Sequence, residues 1–275
     1  MRLSIRHTTS YSFAEPVVHA LQRLRLTPKT TQGQEILDWK MTFENAVQQL
    51  EYEDQHHNTV ALIAVEPDTR KVTIECAGTV DTQDNAGVIG RHSGHLPLWS
   101  FLGQTKLTKP GAKLKALLRD LDGPGTEEGG DKVDFLHRLS ESIRNTVDYR
   151  IGETGVHTTA EEAVVQGSGV CQDHAHIFIG AARAADIPAR YVSGYLMMND
   201  RIDQDATHAW AEAHVDGLGW VGFDISNGIS PDPRYIRVAT GRDYRDAAPI
   251  TGISFGGQPD GMSVNVAVEQ QTVEQ

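Results

Sequence analysis

Cys171 lies in the string GSGVCQDHAH, directly after a glycine-rich stretch and at the start of a predicted helix. Unpaired backbone N–H groups and the positive end of the helix dipole favour a thiolate at such a position. The preceding glycines leave the sulfur accessible, which a buried packing cysteine would not need. A nucleophilic cysteine also requires a base, and the base requires a group that orients it. The position of Cys171 therefore indicates a reactive thiol and directs the search to a His and an acidic residue elsewhere in the chain.

The string THAWAEAHVDGLGWVGFD supplies candidates for both partners. His208 begins an alternating run typical of a strand, Asp216-Gly217 is a hairpin signal, and Asp224 ends the return strand. A turn of two or four residues would point Asp224 away from His208. A turn with an odd number of residues, or one bulge, pairs 210 with 224 and makes His208 and Asp224 diagonal neighbours on one face. We predict this odd register.

The other histidines and the second cysteine fit structural roles better. His174 and His176 are two residues apart on a helix and point to different sides, so they are not a simple pair of metal ligands. His214 has no partnered acid and is predicted to be structural or exposed. Cys76 lies in the alternating run KVTIECAGTV and is interpreted as a packing residue.

Zinc binding is the alternative to catalysis for Cys171 and His208. It would use Cys171, His174 and His208, but a CxxH spacing without a second clear pair is weak evidence for zinc. No acidic loop resembles a calcium site. We therefore predict no metal and no cofactor.

Composition narrows the range of partners. The 275 residues carry a net charge of −12, which does not favour binding to nucleic acid or to anionic membranes. No apolar run reaches the roughly 18 residues of a membrane span, and the first residues lack a secretory signal. We therefore predict a cytoplasmic protein without a disulfide. Composition indicates no oligomeric state.

The elements that would hold these residues predict an α+β protein. Residues 1–82 contain short alternating runs separated by turns and predict a β-rich accessory domain, either a sandwich or a small barrel. Residues 83–112 are predicted as a linker or wrapping loop. Residues 113–275 are predicted as the catalytic domain, in which helices are followed by an antiparallel sheet. The helical signals include an apolar stripe over 133–147 and a capping signature at Thr158 or Thr159.

Three local strings resemble those of the bacterial transglutaminase-like family, cysteine enzymes related to papain. They are GSGVCQDHAHIFIGAARAADIPARYVSGY, THAWAEAHVDGLGWVGFD and GRDYRDAAPITG. The early string IRHTTSYSF also resembles that family's N-terminal domain, so the resemblance covers nearly the whole chain. It implies a papain-like core with Cys171 as nucleophile, His208 as base and Asp224 as the orienting acid. FDISNG departs from the Asp-Pro-Thr-Asn-like string expected here, but it keeps Asp224 and so concerns loop shape more than chemistry.

Acyl transfer also needs donors for the oxyanion and a substrate cleft. The backbone N–H of Cys171 is one natural donor. The side chains of Gln166, Tyr149 and Gln172 compete for the second place, and the sequence does not choose among them. Trp210, Tyr191 and Tyr195 are the cleft candidates.

The predicted reaction is attack of Cys171 on a carboxamide or peptide carbonyl, giving a thioester and a free amine. The substrate would be a peptide, a protein or a small amide. Water as the second reactant makes the enzyme a peptidase or amidase, and an amine makes it a transglutaminase or amide ligase. We expect water, because the sequence shows no second binding cleft for an amine. A non-catalytic binding module is the competing class.

Overall fold

Alternating apolar residues build a large antiparallel sheet from the N-terminal part of the chain. The computed structural model describes residues 1–124, 130–256 and 259–271. The N-terminal strands are β1 (Arg2–Leu24), β2 (Gln34–Glu44), β3 (Ala46–Glu53), β4 (Thr59–Val65) and β5 (Thr69–Thr82). β1 is central, since it pairs with both β5 and β4. Its residues Leu3, Ile5, His7 and Thr9 are all buried, as their shared face predicts.

A helical layer follows. After the short strand β6 (Val88–Gly90) and a single 3-10 turn (Leu98–Phe101) come α1 (Ala112–Arg119), α2 (Gly130–Thr146), α3 (Ala160–Gln166) and α4 (Cys171–Ala184). The two-residue strands β7 (Asp148–Tyr149) and β8 (Ser168–Gly169) pair in parallel just before α4. Thr159 caps α3 and exchanges hydrogen bonds with Glu162, which confirms the capping signature.

A second antiparallel sheet carries the helices on one face. Its later strands are β9 (Ala189–Leu196), β11 (His208–Val215), β12 (Gly219–Phe223) and β13 (Tyr235–Gly241). The short strand β10 (Asp203–Gln204) belongs to the first sheet instead. The strand order of the second sheet is β13-β9-β11-β12-β6. Ala209, Ala211 and Ala213 lie in one core cluster with Ile177 and Phe178 of α4. These small side chains let the helix pack close to β11, as the alternation along the strand predicts. The α+β fold class is confirmed.

The C-terminal strands return to the first sheet. After the short helix α5 (Tyr244–Ala247), the strands β14 (Ile250–Gly256) and β15 (Pro259–Gln270) both pair antiparallel with β1. The segment predicted as a linker contributes β6, which pairs with β12 at the edge of the second sheet. The division at residues 82 and 112 stays a prediction. No helix in the described ranges combines the length and apolar character that crossing a membrane needs.

A buried polar network joins the two sheets. The side-chain amide of Gln34 donates to the carbonyl of Arg237 at 2.8 Å, and its oxygen accepts from the Arg237 N–H at 2.8 Å. The guanidinium groups of Arg190 and Arg237 both bond to Glu212, which is fully buried. The two cations outweigh burial and lower the pKa of Glu212 to about 2. Both arginines share the Glu212 carboxylate, and Arg190 also lies over the Trp220 ring at 3.8 Å, so neither cation is isolated in the interior.

Candidate active site

Cys171 is the first residue of α4, and the chain around it holds the helix start in place. Asp173, in the same first turn, accepts hydrogen bonds from the Val170 N–H at 2.8 Å and from the Thr154 hydroxyl at 2.6 Å. Burial raises the pKa of Asp173, and these two hydrogen bonds oppose the rise. Cys171 itself is only partly buried. Its sulfur therefore lies at a fixed helix start and remains open to a substrate.

His208 begins β11, and strand pairing brings it to Asp224. Ala211 pairs with Phe223 and Val215 with Gly219, so residues 216–218 form a three-residue turn. This is the predicted odd register. It brings the His208 Nε2 to 2.6 Å from the Asp224 Oδ2.

Asp224 is fully buried and receives hydrogen bonds from three residues. Besides His208, the Tyr235 hydroxyl donates to Oδ2 at 2.7 Å, the Asn227 amide to Oδ2 at 2.7 Å and the Asn227 N–H to Oδ1 at 3.2 Å. Burial raises the pKa of Asp224, but these bonds, with that from His208 the largest, outweigh it and hold the pKa below its ordinary value. Asp224 is therefore a carboxylate that only accepts, and the Nε2 of His208 is the donor.

The remaining nitrogen of His208, Nδ1, is left for Cys171. Burial lowers the pKa of His208, but hydrogen bonding to Asp224 and to Cys171, together with their charges, raises it to about 10. A raised pKa favours the form of the ring that is protonated on both nitrogens. Cys171 and Asp224 both contribute to the raised pKa of His208, so the structure places the three residues in one site.

Two residues of this site were missed from the sequence. Asn227 follows Asp224 by three residues, the spacing of the Asn in the Asp-Pro-Thr-Asn-like string, so FDISNG keeps the two polar positions of that string. Gly228 allows the tight turn through its positive φ of 67°. Tyr235 begins β13 and reaches Asp224 through tertiary packing, and no local signal in the sequence marks it.

His174 supports the loop that carries Asp224. Its Nε2 lies 2.9 Å from the Val147 carbonyl oxygen and must donate, so its Nδ1 accepts from the Ser226 hydroxyl at 2.9 Å. Burial is the main cause that lowers the pKa of His174, which favours the neutral ring. Since both nitrogens are engaged, His174 is not available to the alternative zinc site with Cys171 and His208. His214 packs its ring on Trp220 at 5.4 Å, in keeping with the structural role predicted for it.

The three oxyanion candidates differ in what their donors do. The Gln166 side-chain amide is engaged with the Glu153 carbonyl and the Ser168 hydroxyl, both at 3.2 Å, which does not favour Gln166 as a donor to substrate. Tyr149 is half-exposed, and burial together with the nearby charges of Cys171 and Asp224 raises its pKa to about 12. Its hydroxyl therefore keeps its proton near the sulfur. Gln172, the second residue of α4, makes no side-chain hydrogen bond within the described residues and is partly exposed.

The three residues predicted to line the substrate cleft lie in different environments. Trp210 is buried and stacks on His208 with ring centroids 6.2 Å apart, so it covers the imidazole. Tyr191 is buried, and burial, followed by the charge of Cys171, raises its pKa. Tyr195 does not line the cleft that was predicted for it. Its hydroxyl bonds to the His7 Nδ1 at 2.8 Å, and its ring lies in a core cluster with Leu3. It lies where the two sheets meet rather than in a cleft, because the end of β9 packs against β1.

Comparison with known proteins identifies the families that the chain resembles. Residues 117–225 match the family described as the transglutaminase-like superfamily, and residues 3–81 match the bacterial transglutaminase-like N-terminal region. An uncharacterized protein of Mycobacterium leprae is 26% identical over 93% of this chain and 94% of its own length. An uncharacterized protein of Mycobacterium tuberculosis is 29% identical over 92% of this chain and 88% of its own length.

A solved structure shares the fold over the whole chain. The protein, from Cytophaga hutchinsonii and described as "a Putative Cysteine Protease", superposes with a TM-score of 0.74 at 23% identity. The match covers 100% of this chain and 92% of the other. The two regions identified by family matching are therefore arranged in an architecture already seen in a solved protein.

Proposed function

We propose that the chain is a cysteine-dependent acyl-transfer enzyme, because residues 117–225 match the transglutaminase-like superfamily and residues 3–81 match the bacterial N-terminal region of that family. The observation that carries the proposal is the 2.6 Å contact between His208 and the buried carboxylate of Asp224, which leaves the other imidazole nitrogen for Cys171. The proposed substrates are peptides, proteins or small amides.

The proposed first half-reaction releases an amine. The Cys171 thiolate attacks the carbonyl carbon, and the carbonyl electron pair moves to the oxygen to give a tetrahedral oxyanion. When the C–N bond breaks, the Nδ1–H of His208 protonates the departing nitrogen, and a thioester remains on Cys171. Asp224 keeps the ring oriented and stabilises its positive charge before this transfer. Tyr235 and Asn227 act through Asp224 and are positioning residues.

The proposed second half-reaction regenerates the thiolate. Neutral His208 takes a proton from water through Nδ1, and the hydroxide oxygen attacks the thioester. The C–S bond breaks to release a carboxylic acid, and the imidazolium–thiolate pair is restored. The oxyanion in both halves would accept from the Cys171 N–H and from Tyr149 or Gln172. The free donors of these two side chains support this assignment over Gln166.

Water and an amine compete for the same thioester, and we propose that water is the normal acceptor. The test is to incubate the protein with glutamine-containing and other short peptides plus a fluorescent primary amine. Released ammonia, newly formed peptide ends and incorporated label are then measured together. Hydrolysis without label supports a peptidase or amidase. Label that exceeds hydrolysis would replace this proposal with a transglutaminase or amide ligase. Cys171→Ala must abolish every signal.

A binding module without catalysis is the other class, and thiol reactivity separates it. Burial raises the pKa of Cys76 to about 12, so alkylation at pH 6 reports on Cys171. We expect iodoacetamide to label Cys171 rapidly at pH 6 and His208→Ala to slow this labelling at least tenfold. Labelling at pH 6 that is as slow as for an ordinary thiol, and unchanged by His208→Ala, would contradict the enzyme proposal.

A further inference from the structure

A second cluster of metal-binding side chains lies outside the candidate active site. Glu53 ends β3, His57 lies in the turn before β4, and His95 lies in the loop after β6. One ligand atom from each of the three lies within 4.8 Å of the others. The Glu53 Oε1 is 2.5 Å from the His57 Nδ1 and 3.6 Å from the His95 Nε2. We propose that this cluster binds a divalent transition metal ion of the zinc type.

The turn that carries His57 is built independently of this cluster. Asp54 accepts hydrogen bonds from the N–H groups of His56 at 2.9 Å and Asn58 at 3.0 Å, and its other oxygen accepts from the buried guanidinium of Arg25. His57 has a positive φ of 57°, which is uncommon for a residue with a side chain. The backbone therefore presents the His57 ring without help from Glu53 or His95.

The loop that carries His95 is also held by other contacts. His92 donates from Nε2 to the Leu96 carbonyl at 2.6 Å and accepts at Nδ1 from the Trp220 indole at 3.2 Å. Gly94 lies where a side chain would meet the ring of His92. The rings of His57 and His95 then stack with centroids 4.1 Å apart. Two separately fixed loops thus bring two imidazoles to one carboxylate.

The three side chains have no competing polar partners. Within the described residues, Glu53 forms ion pairs only with His57 and His95, and neither imidazole makes another side-chain hydrogen bond. The buried Nε2 of His57 has no partner among the described residues. The two imidazoles and the carboxylate therefore face one another, and no other side chain in the described part of the chain competes for the atoms that they share.

The donor set of two imidazoles and one carboxylate selects the ion. It suits Zn²⁺ and similar transition metals, whereas Ca²⁺ and Mg²⁺ prefer oxygen ligands. Metal bonds of about 2.0–2.2 Å would require the ligand atoms to shift by roughly 1 Å. His95 and Glu53 are more than half exposed and can make that shift. Three protein ligands leave the fourth tetrahedral position to water.

The ion would fasten the first sheet to the second. Glu53 and His57 belong to the β3–β4 hairpin of the N-terminal sheet, whereas the His95 loop follows β6 and contacts Trp220 of β12 through His92. Binding only to the folded chain stabilises it in proportion to the logarithm of ion concentration over Kd. The proposed role is therefore a structural clip between the two regions, separate from the thiol chemistry.

Calorimetric titration of the full chain with Zn²⁺ tests the proposal. The background is Cys171→Ala, which removes the thiolate that could also bind zinc. We expect one Zn²⁺ per chain, at least about tenfold weaker binding in His95→Ala and in Glu53→Gln, and no competition from Ca²⁺. His19→Ala, which removes an exposed histidine of β1, is the matched control and should bind as the background does.

Thermal unfolding gives the second measurement. Zn²⁺ should raise the Tm of the background and of His19→Ala but not that of His95→Ala. Zinc binding that survives both His95→Ala and Glu53→Gln would overturn the proposal. The absence of saturable binding below about 100 μM, equivalent to about −5.5 kcal/mol, would also overturn it.

Discussion

The Tyr235 hydroxyl donates to Asp224 at 2.7 Å, and Tyr235→Phe removes this contact while leaving the ring. The ring packs edge-on against Trp210 with centroids 5.4 Å apart, so phenylalanine should keep the local packing. A hydrogen bond to a charged group contributes about 1.5–3 kcal/mol. Its loss disfavours the Asp224 carboxylate, so the pKa of Asp224 should rise. Each 1.4 kcal/mol that reaches the thiolate–imidazolium pair slows the reaction of Cys171 about tenfold.

The assay is the rate of iodoacetamide alkylation from pH 5 to pH 9, together with peptide hydrolysis. For Tyr235→Phe we expect alkylation at pH 7 to fall about tenfold and the acid limb of the profile to move to higher pH. Unfolding should also occur about 3–12 °C lower, from about 2–4 °C per kcal/mol for a chain of roughly this size.

Tyr195→Phe is the matched control for this prediction. It also loses a buried tyrosine hydrogen bond, here to His7 at 2.8 Å, but it lies between the sheets. It should lower the Tm and leave the pH profile of alkylation in place. If both variants lose stability and neither changes alkylation, Tyr235 is a packing residue and does not position Asp224.

Three further predictions concern the role of Asp224, the buried network around Glu212 and the dependence of stability on pH. Asp224→Asn should lower hydrolysis about 10³–10⁴-fold, because an amide no longer fixes the donor nitrogen of the base. A loss under tenfold would contradict its orienting role. Glu212→Gln should reduce the free energy of unfolding, measured in urea, by about 3–5 kcal/mol, because it leaves two buried arginines without their anion. A loss below about 1 kcal/mol would contradict this account, because it would show that water enters the network and solvates the arginines. Burial lowers the pKa of His7 to about 4 and that of His176 to about 3, whereas an unfolded histidine titrates near 6.5. The unfolded chain therefore binds more protons below pH 6.5, and urea unfolding should show stability falling from pH 6.5 towards pH 3; a flat profile would contradict the buried neutral rings.

Local sequence patterns were enough to predict the α+β class and the central geometry of the site. The start of α4 at Cys171, the capping of α3 by Thr159 and the three-residue turn after Val215 all depend on residues within a few positions of one another. The hairpin register then places Asp224 beside His208, because one shift of register would turn every side chain to the other face.

Long-range packing decided the rest. Tyr235 reaches Asp224 only because β13 and β11 flank β9. Tyr195 is buried between the sheets because the end of β9 packs against β1. β15 pairs with β1 although the two strands lie at opposite ends of the chain. Such pairings depend on which surfaces meet after collapse, and alternation along a strand shows only that one face is buried. The sequence by itself therefore determined which residues could react and how the hairpin orients them. Only the tertiary structure decided which residues hold Asp224 in place and where the two sheets meet.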